Sequence, residues 1–106
     1  MTTISIRQDE SGSQYILTGH ADYAAVGGDI VCAGISILTN TLCNLINAWA
    51  EEGRTNLYMM WPEDEPRHIF VDTGGDDDMN TVLAVITSEY VQLSEQYPGN
   101  VKVEMI

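Results

Sequence analysis

Cys32 and His20, twelve residues apart, are the residues of this 106-residue chain whose types could do covalent chemistry together. A thiolate attacks an acyl carbon, and an imidazole beside it takes the thiol proton and returns it to the leaving group. The thiol is a useful nucleophile only when ionised, so the cysteine must sit where negative charge is favoured. A helix N-terminus is such a place, because unpaired N–H groups and aligned peptide dipoles converge there. Residues 19–49 read GHADYAAVGGDIVCAGISILTNTLCNLINAW. Asp29 is a good N-cap directly before an apolar-periodic run, which makes Ile30, Val31 and Cys32 the first three helical positions. The intervening loop is long enough to fold back and bring imidazole against sulfur. On spacing alone two readings stand: an activated thiolate–imidazolium pair, or a buried structural cysteine and a loop histidine.

Neighbouring residues extend either reading. Ser36 lies one turn after Cys32, so its hydroxyl can reach the surroundings of the sulfur or return to the Cys32 carbonyl. Cys32, Ser36, Thr39 and Cys43 form a line of small or weakly polar residues at threes and fours, and Cys43 reads as a small core hydrophobe. Ala33 and Gly34 permit close backbone approach. Gly27 and Gly28 either make the turn into the helix or act as hinges of a cover closing over an extended substrate. Asp22 and Asp29 are both candidates to orient His20. An amide of the first turn, at Cys32 or a neighbour, is the expected donor to a developing oxyanion. The two cysteines lie roughly 16 Å apart along one helix axis, beyond the ~7 Å Cα separation a disulfide allows, so both thiols are expected free. No zinc-ligand pattern joins His20, Cys32, Cys43 and His68.

The string Gly19-His20-Ala21, Tyr23, Gly27, then Asp29-Ile30-Val31-Cys32-Ala33-Gly34 with Ser36 and Leu38, resembles the signature of the ribosomal-processing cysteine protease family, Prp. The resemblance runs over nearly the full length and takes in Tyr97-Pro98 before a final strand. It implies a cysteine endopeptidase that removes a short N-terminal extension from a large-subunit ribosomal protein precursor, as a homodimer and without a cofactor or metal. Carried over by position, Cys32 is the nucleophile and His20 the general base and then general acid. Asp29 caps the helix and can influence the histidine, Gly19 fits close to substrate, and Ser36 supports the site. A substrate with paired Phe before a small residue, as the family uses, implies an apolar cleft beside the helix start. The stretch 61–65 and the triple Asp at 76–78 depart from the family pattern and leave the target open. One alternative is a Prp-like protease of a phage or mobile element that processes a capsid or other structural protein. Another is a non-catalytic protein-binding domain in which Cys32 is only a small residue.

The elements that must position these groups follow from periodicity. Residues 2–7 and 14–18 read as strands around a turn at 9–12, with Ile4 and Ile6 on one face and Tyr15 in the core. A helix over 30–52 carries the stripe Ile35, Leu38, Leu42, Leu45, Ile46 and Trp49 and ends at Gly53. Residues 56–61 and 68–72 form a second hairpin across the Pro62–Pro66 connection, with Met59, Met60 and Trp61 as core or pairing surface and His68 structural. A helix over 79–96, preceded by capping aspartates, carries Val82, Val85, Ile86, Tyr90 and Leu93, and residues 101–106 alternate as a last strand. The expectation is an α+β fold, a single layered domain over 1–106 of order β-β-α-β-β-α-β, with two helices packed on a mixed sheet.

Composition limits the partners. Sixteen acids against four Lys and Arg give a net charge of −12. Such a chain repels nucleic acid, so no direct binding to it is expected. The acidity either keeps the protein soluble or attracts a basic polypeptide, as a ribosomal protein precursor is. No hydrophobic run reads as a membrane span and the N-terminus lacks the pattern of a signal peptide, so the expected location is the cytoplasm, away from membrane.

Overall fold

Asp9 closes the first turn by accepting the Ser11 amide and hydroxyl on one carboxylate oxygen, at 2.9 and 2.8 Å. With the turn fixed, β1 (Thr2–Asp9) and β2 (Gly12–Thr18) pair antiparallel from Asp9 opposite Gly12 to Thr3 opposite Thr18. The computed structural model describes residues 1–19, 24, 29–55, 58–60 and 66–106. Among these follow α1 (Ile30–Glu51), β3 (Tyr58–Met60), β4 (Arg67–Asp72), α2 (Asp77–Gln96) and β5 (Val101–Met105), the order read from the sequence. The strands form one sheet ordered β3-β4-β2-β1-β5. β5 lies parallel to β1 and every other pair is antiparallel, so the sheet is mixed.

One face of the sheet is the core face. Ile4, Ile6, Tyr15, Ile69 and Val71 are completely buried there, against Leu42 and Ile46 of α1 and Leu83 and Tyr90 of α2. Removing this apolar surface from water is the main term holding the layers together. The α1 stripe is the expected one in outline, with Leu38 and Leu45 at its partly buried edges. Thr39 and Cys43 belong to this core as well, which takes Thr39 out of the line of site residues.

Several sequence expectations need correction. The first strand runs two residues further, β2 begins at Gly12, and β4 includes Arg67. α2 starts at Asp77 because Asp76 is its N-cap, accepting the Met79 amide at 2.9 Å. Its buried face is Met79, Leu83, Ile86, Thr87 and Tyr90, while Val82 and Val85 are 39 % and 56 % exposed. The reason is polar. Thr87 can occupy a core position because its hydroxyl meets that of Tyr15 at 2.9 Å, so an apolar-only stripe is out of phase.

α1 also corrects the reading of hydropathy, since by length and composition it is apolar enough to cross a membrane. Here its stripe is instead the central helical contribution to the core. The C-terminus of α1 closes in a Schellman motif: Gly53 at φ 73° donates to Ala50 and the Arg54 amide donates to Trp49, at 3.0 and 2.8 Å. The connection at 61–65 and Trp61 lie outside the described residues, as do the side chains of Met59 and Met60.

Candidate active site

The site begins with the cap of α1. Asp29 is extended at φ −84° and ψ 100°, and its Oδ1 accepts the amides of Val31 and Cys32, both at 2.9 Å. Its Oδ2 receives the Ala24 amide at 3.4 Å, and its carbonyl receives the Ala33 amide at 3.1 Å. Cys32 therefore stands at the third helical position, where the spacing puts it. The cap also has a cost for the expected chemistry. The amides of Val31, Cys32 and Ala33 are all engaged, so the Cys32 amide is not a free oxyanion donor in this arrangement.

Above this turn, the first two turns of α1 meet the ends of the central strands. Cys32, Ile35 and Ser36 of α1, Thr2 of β1, Leu17 and Gly19 at the end of β2, and Arg67 at the start of β4 enclose a cleft of about 110 Å³. Cys32 is half-buried and Ser36 exposed. The structure thus brings Gly19, Cys32 and Ser36 to one cavity and puts Asp29 beneath it as the cap. Among the described residues the Ser36 hydroxyl makes no hydrogen bond, so its return to the Cys32 carbonyl is not seen. His20 follows Gly19 directly in sequence and lies outside the described residues, as do Asp22, Gly27 and Gly28.

Gly19 has a packing reason of its own. At φ 81° it occupies the left-handed region, and a Cβ there would run into the Met1 carbonyl oxygen. The glycine is required by the crossing of the β2 end over the N-terminus, independently of any substrate.

A buried hydroxyl ladder holds the floor. The Thr39 hydroxyl donates to the Ile35 carbonyl at 2.7 Å, so the Tyr90 hydroxyl, 2.8 Å from it, is the donor of that second bond. Tyr15 bonds Thr87 and donates to the Leu83 carbonyl at 3.3 Å, and the two tyrosine rings pack tilted with centroids 5.9 Å apart. Sheet, α1 and α2 are thereby joined beneath the cleft. Burial pushes both tyrosine hydroxyls above their ordinary range, and the charge of Arg67 acts on Tyr90 in the opposite sense.

The two cysteines are free and differ in surroundings. Cys43 is buried in the core and its thiol is pushed up by desolvation. His68 faces away from the core, opposite Ile16 on the outer side of the sheet. Among the described residues no group of three His, Cys, Asp or Glu could hold a metal ion. Arg67 is the cleft residue that the sequence reading missed. Its signal was there: it continues the period of Ile69 and Val71, which places one of four cations on the core face of a central strand.

Comparison with known proteins sets this geometry in context. The family profile described as cysteine protease Prp matches residues 1–102. No curated protein sequence matches the chain. Among solved structures, the essential ribosomal processing protease Prp from S. aureus, in complex with a covalently linked product peptide, superposes with a TM-score of 0.80 at 26% identity over 100% of both chains. SMU.848 from Streptococcus mutans gives 0.72 at 22% identity over 100% of this chain and 94% of that one. The S. aureus protease with a substrate peptide gives 0.70 at 24% identity over 100% of both. The last two, at their lower identity, speak for the fold alone.

Proposed function

The chain belongs to the cysteine protease Prp family, and from that premise we propose that it removes an N-terminal extension from a large-subunit ribosomal protein precursor, with Cys32 as nucleophile and His20 as its base. It is a cysteine-type peptidase by family. The observation that carries the assignment of the site is the cleft at the α1 N-terminus, where Cys32 stands half-buried beside Gly19 and Ser36 over the Asp29 cap.

In this mechanism His20 takes the thiol proton and Cys32 Sγ adds to the scissile carbonyl, whose π electrons move onto oxygen. Collapse of that oxyanion breaks the C–N bond, and the imidazolium protonates the departing amine. Water, deprotonated by the same imidazole, then hydrolyses the thioester and restores the thiol. The Asp29 carboxylate, one turn from the sulfur, favours the protonated form of an imidazole brought against Cys32. Ser36 supports the cleft wall, and Leu17 and Ile35 supply apolar surface for the residues before the cut.

The remaining parts of the reading are a single catalytic domain over residues 1–106, a homodimer in the cytoplasm, and no cofactor. The acidity of the chain suits a basic precursor and opposes direct contact with nucleic acid. The experiment is incubation with a ribosomal protein precursor that retains its extension, read by intact mass. Wild type and Cys43→Ala release the extension, while Cys32→Ala and His20→Ala do not, with unchanged circular dichroism. Cleavage by Cys32→Ala overturns the mechanism. An uncut precursor in the presence of a reactive Cys32 overturns the target and leaves the mechanism.

A further inference from the structure

We propose that the outward face of α1 is where a second copy of this chain docks. The inference rests on the reading of the protein as a homodimer and names the face through which it pairs. α1 is apolar enough along its length to cross a membrane, yet only 33 % of that stretch is buried in the single chain. A helix apolar on more than its core stripe has a second surface to cover. On the side away from the sheet, Ile30, Ala33, Ile37, Asn40, Asn44 and Asn47 recur at alternating threes and fours, and all are exposed. That is the spacing of a helix–helix seam. Its two isoleucines, Ile30 and Ile37, are 61 % and 68 % exposed. Beside the seam, Gly34, Ile37, Leu38 and Thr41 of α1 meet Glu89 and Leu93 of α2 around a largely apolar groove of about 240 Å³.

Charge selects the occupant. The chain holds sixteen acids and four Lys and Arg, and none of these lies between Ile30 and Ala50. A surface for a basic polypeptide would carry acids, and one for anionic lipid would carry Lys or Arg. This face carries neither. A second copy brings the same net charge of −12, so its approach is least opposed where acids are missing.

The polar groups that remain suit two-fold pairing. In an isologous contact a residue near the axis meets its own copy, so Glu would face Glu and Lys would face Lys. The side-chain amide of Asn is both donor and acceptor and can bond its own kind. Those of Asn40, Asn44 and Asn47 make no hydrogen bond among the described residues, which leaves them available. Ile37 is at once a wall of the groove and a projecting side chain, so each copy can present it to the groove of the other.

The test is the mass of the intact chain by sedimentation equilibrium over a concentration series, with far-UV circular dichroism as the check on folding. Wild type should sediment as a dimer. Ile37→Asp and Asn44→Asp, both at exposed positions, should each raise the dimer dissociation constant about tenfold or more, since each enters the contact twice as a like charge. Gln14→Glu makes the same amide-to-acid change on the opposite face of the sheet and should leave the constant unchanged. A dimer that withstands both α1 substitutions overturns the face and leaves the homodimer standing, and a loss of precursor cleavage in that dimer assigns the face to the substrate. Equal weakening by Gln14→Glu shows general charge repulsion and also overturns the face. A wild type that is monomeric throughout overturns the face and the homodimer together. Cosedimentation of that monomer with phosphatidylcholine vesicles, lost in Ile37→Asp, then assigns the face to a membrane.

Discussion

Cys32 and Cys43 lie on one helix about three turns apart, and their surroundings assign them opposite behaviour. Cys43 sits in the core with its thiol pushed up by burial, so it should alkylate far more slowly than Cys32 at neutral pH. Cys43→Ala should cost about 1 kcal/mol of stability by denaturant melting, a typical single-site loss, and leave precursor cleavage intact. Asp29 offers a finer division. Asp29→Ala removes the side-chain acceptor of the Val31, Cys32 and Ala24 amides and should cost about 1 kcal/mol, the usual worth of an N-cap. Asp29→Asn keeps an acceptor oxygen but not the charge, so it should recover most of that stability. If the carboxylate also biases the histidine, cleavage by Asp29→Asn stays depressed and its pH profile shifts. Equal activity in Asp29→Asn and wild type would leave the residue a cap and nothing more. At this scale the capped cysteine was legible from residue types alone. The engagement of its amide was not, because a string of letters does not say which N–H groups the cap consumes.

α2 shows at the scale of an element what periodicity can and cannot read. Asp76 is held below the usual carboxylate range, first by the Met79 amide and then by Arg54 at 3.2 Å. A carboxyl whose folded value is depressed stabilises the fold above its unfolded value, here near 3.8, and loses that contribution as pH falls through the lower folded value. Asp76→Asn should therefore flatten the decline of melting temperature between about pH 5 and pH 2 relative to wild type. Asp9, lowered chiefly by the Ser11 hydroxyl, contributes in the same window and keeps part of the decline in the variant. An identical acid limb in Asp76→Asn and wild type would exclude the cap as a source. The order of elements was open to sequence reading because turn residues and apolar periods mark it: Asp9 to Gly12, Asp29, Gly53, the aspartates before α2. The phase of α2 was not, because Thr87 is buried only by virtue of Tyr15, a partner from a strand 72 residues away. Thr39 escaped for the same reason, its partner being Tyr90. Arg67 escaped through a strand boundary set one residue late, which removed it from the alternation that places it in the cleft.

The whole molecule adds what no element holds alone. Tyr90 and Tyr15 join the sheet to both helices beneath the cleft, so Tyr90→Phe should cost about 1 kcal/mol, the net worth of one buried hydrogen bond. The Thr39 hydroxyl would keep its bond to Ile35, and thermal melting measures the loss. Charge acts over a longer range. With a net charge of −12 the molecule surrounds a cleft containing Arg67 with an otherwise acidic field. A basic precursor is drawn toward such a surface, whereas the bond-breaking step sees only the local groups. The two contributions separate by salt, because a Debye length near 10 Å at 0.1 M shrinks to about 3 Å at 1 M and screens exposed charge while leaving a half-buried cleft less affected. For the full precursor, kcat/KM should fall several-fold across that range through KM, with kcat nearly constant. A short uncharged peptide spanning the same cut should show little change. If the precursor and the peptide respond alike, the acidity serves solubility and not recognition. The assignment of Cys32 is untouched by that result, since it rests on the cleft and the cap and not on the field around them.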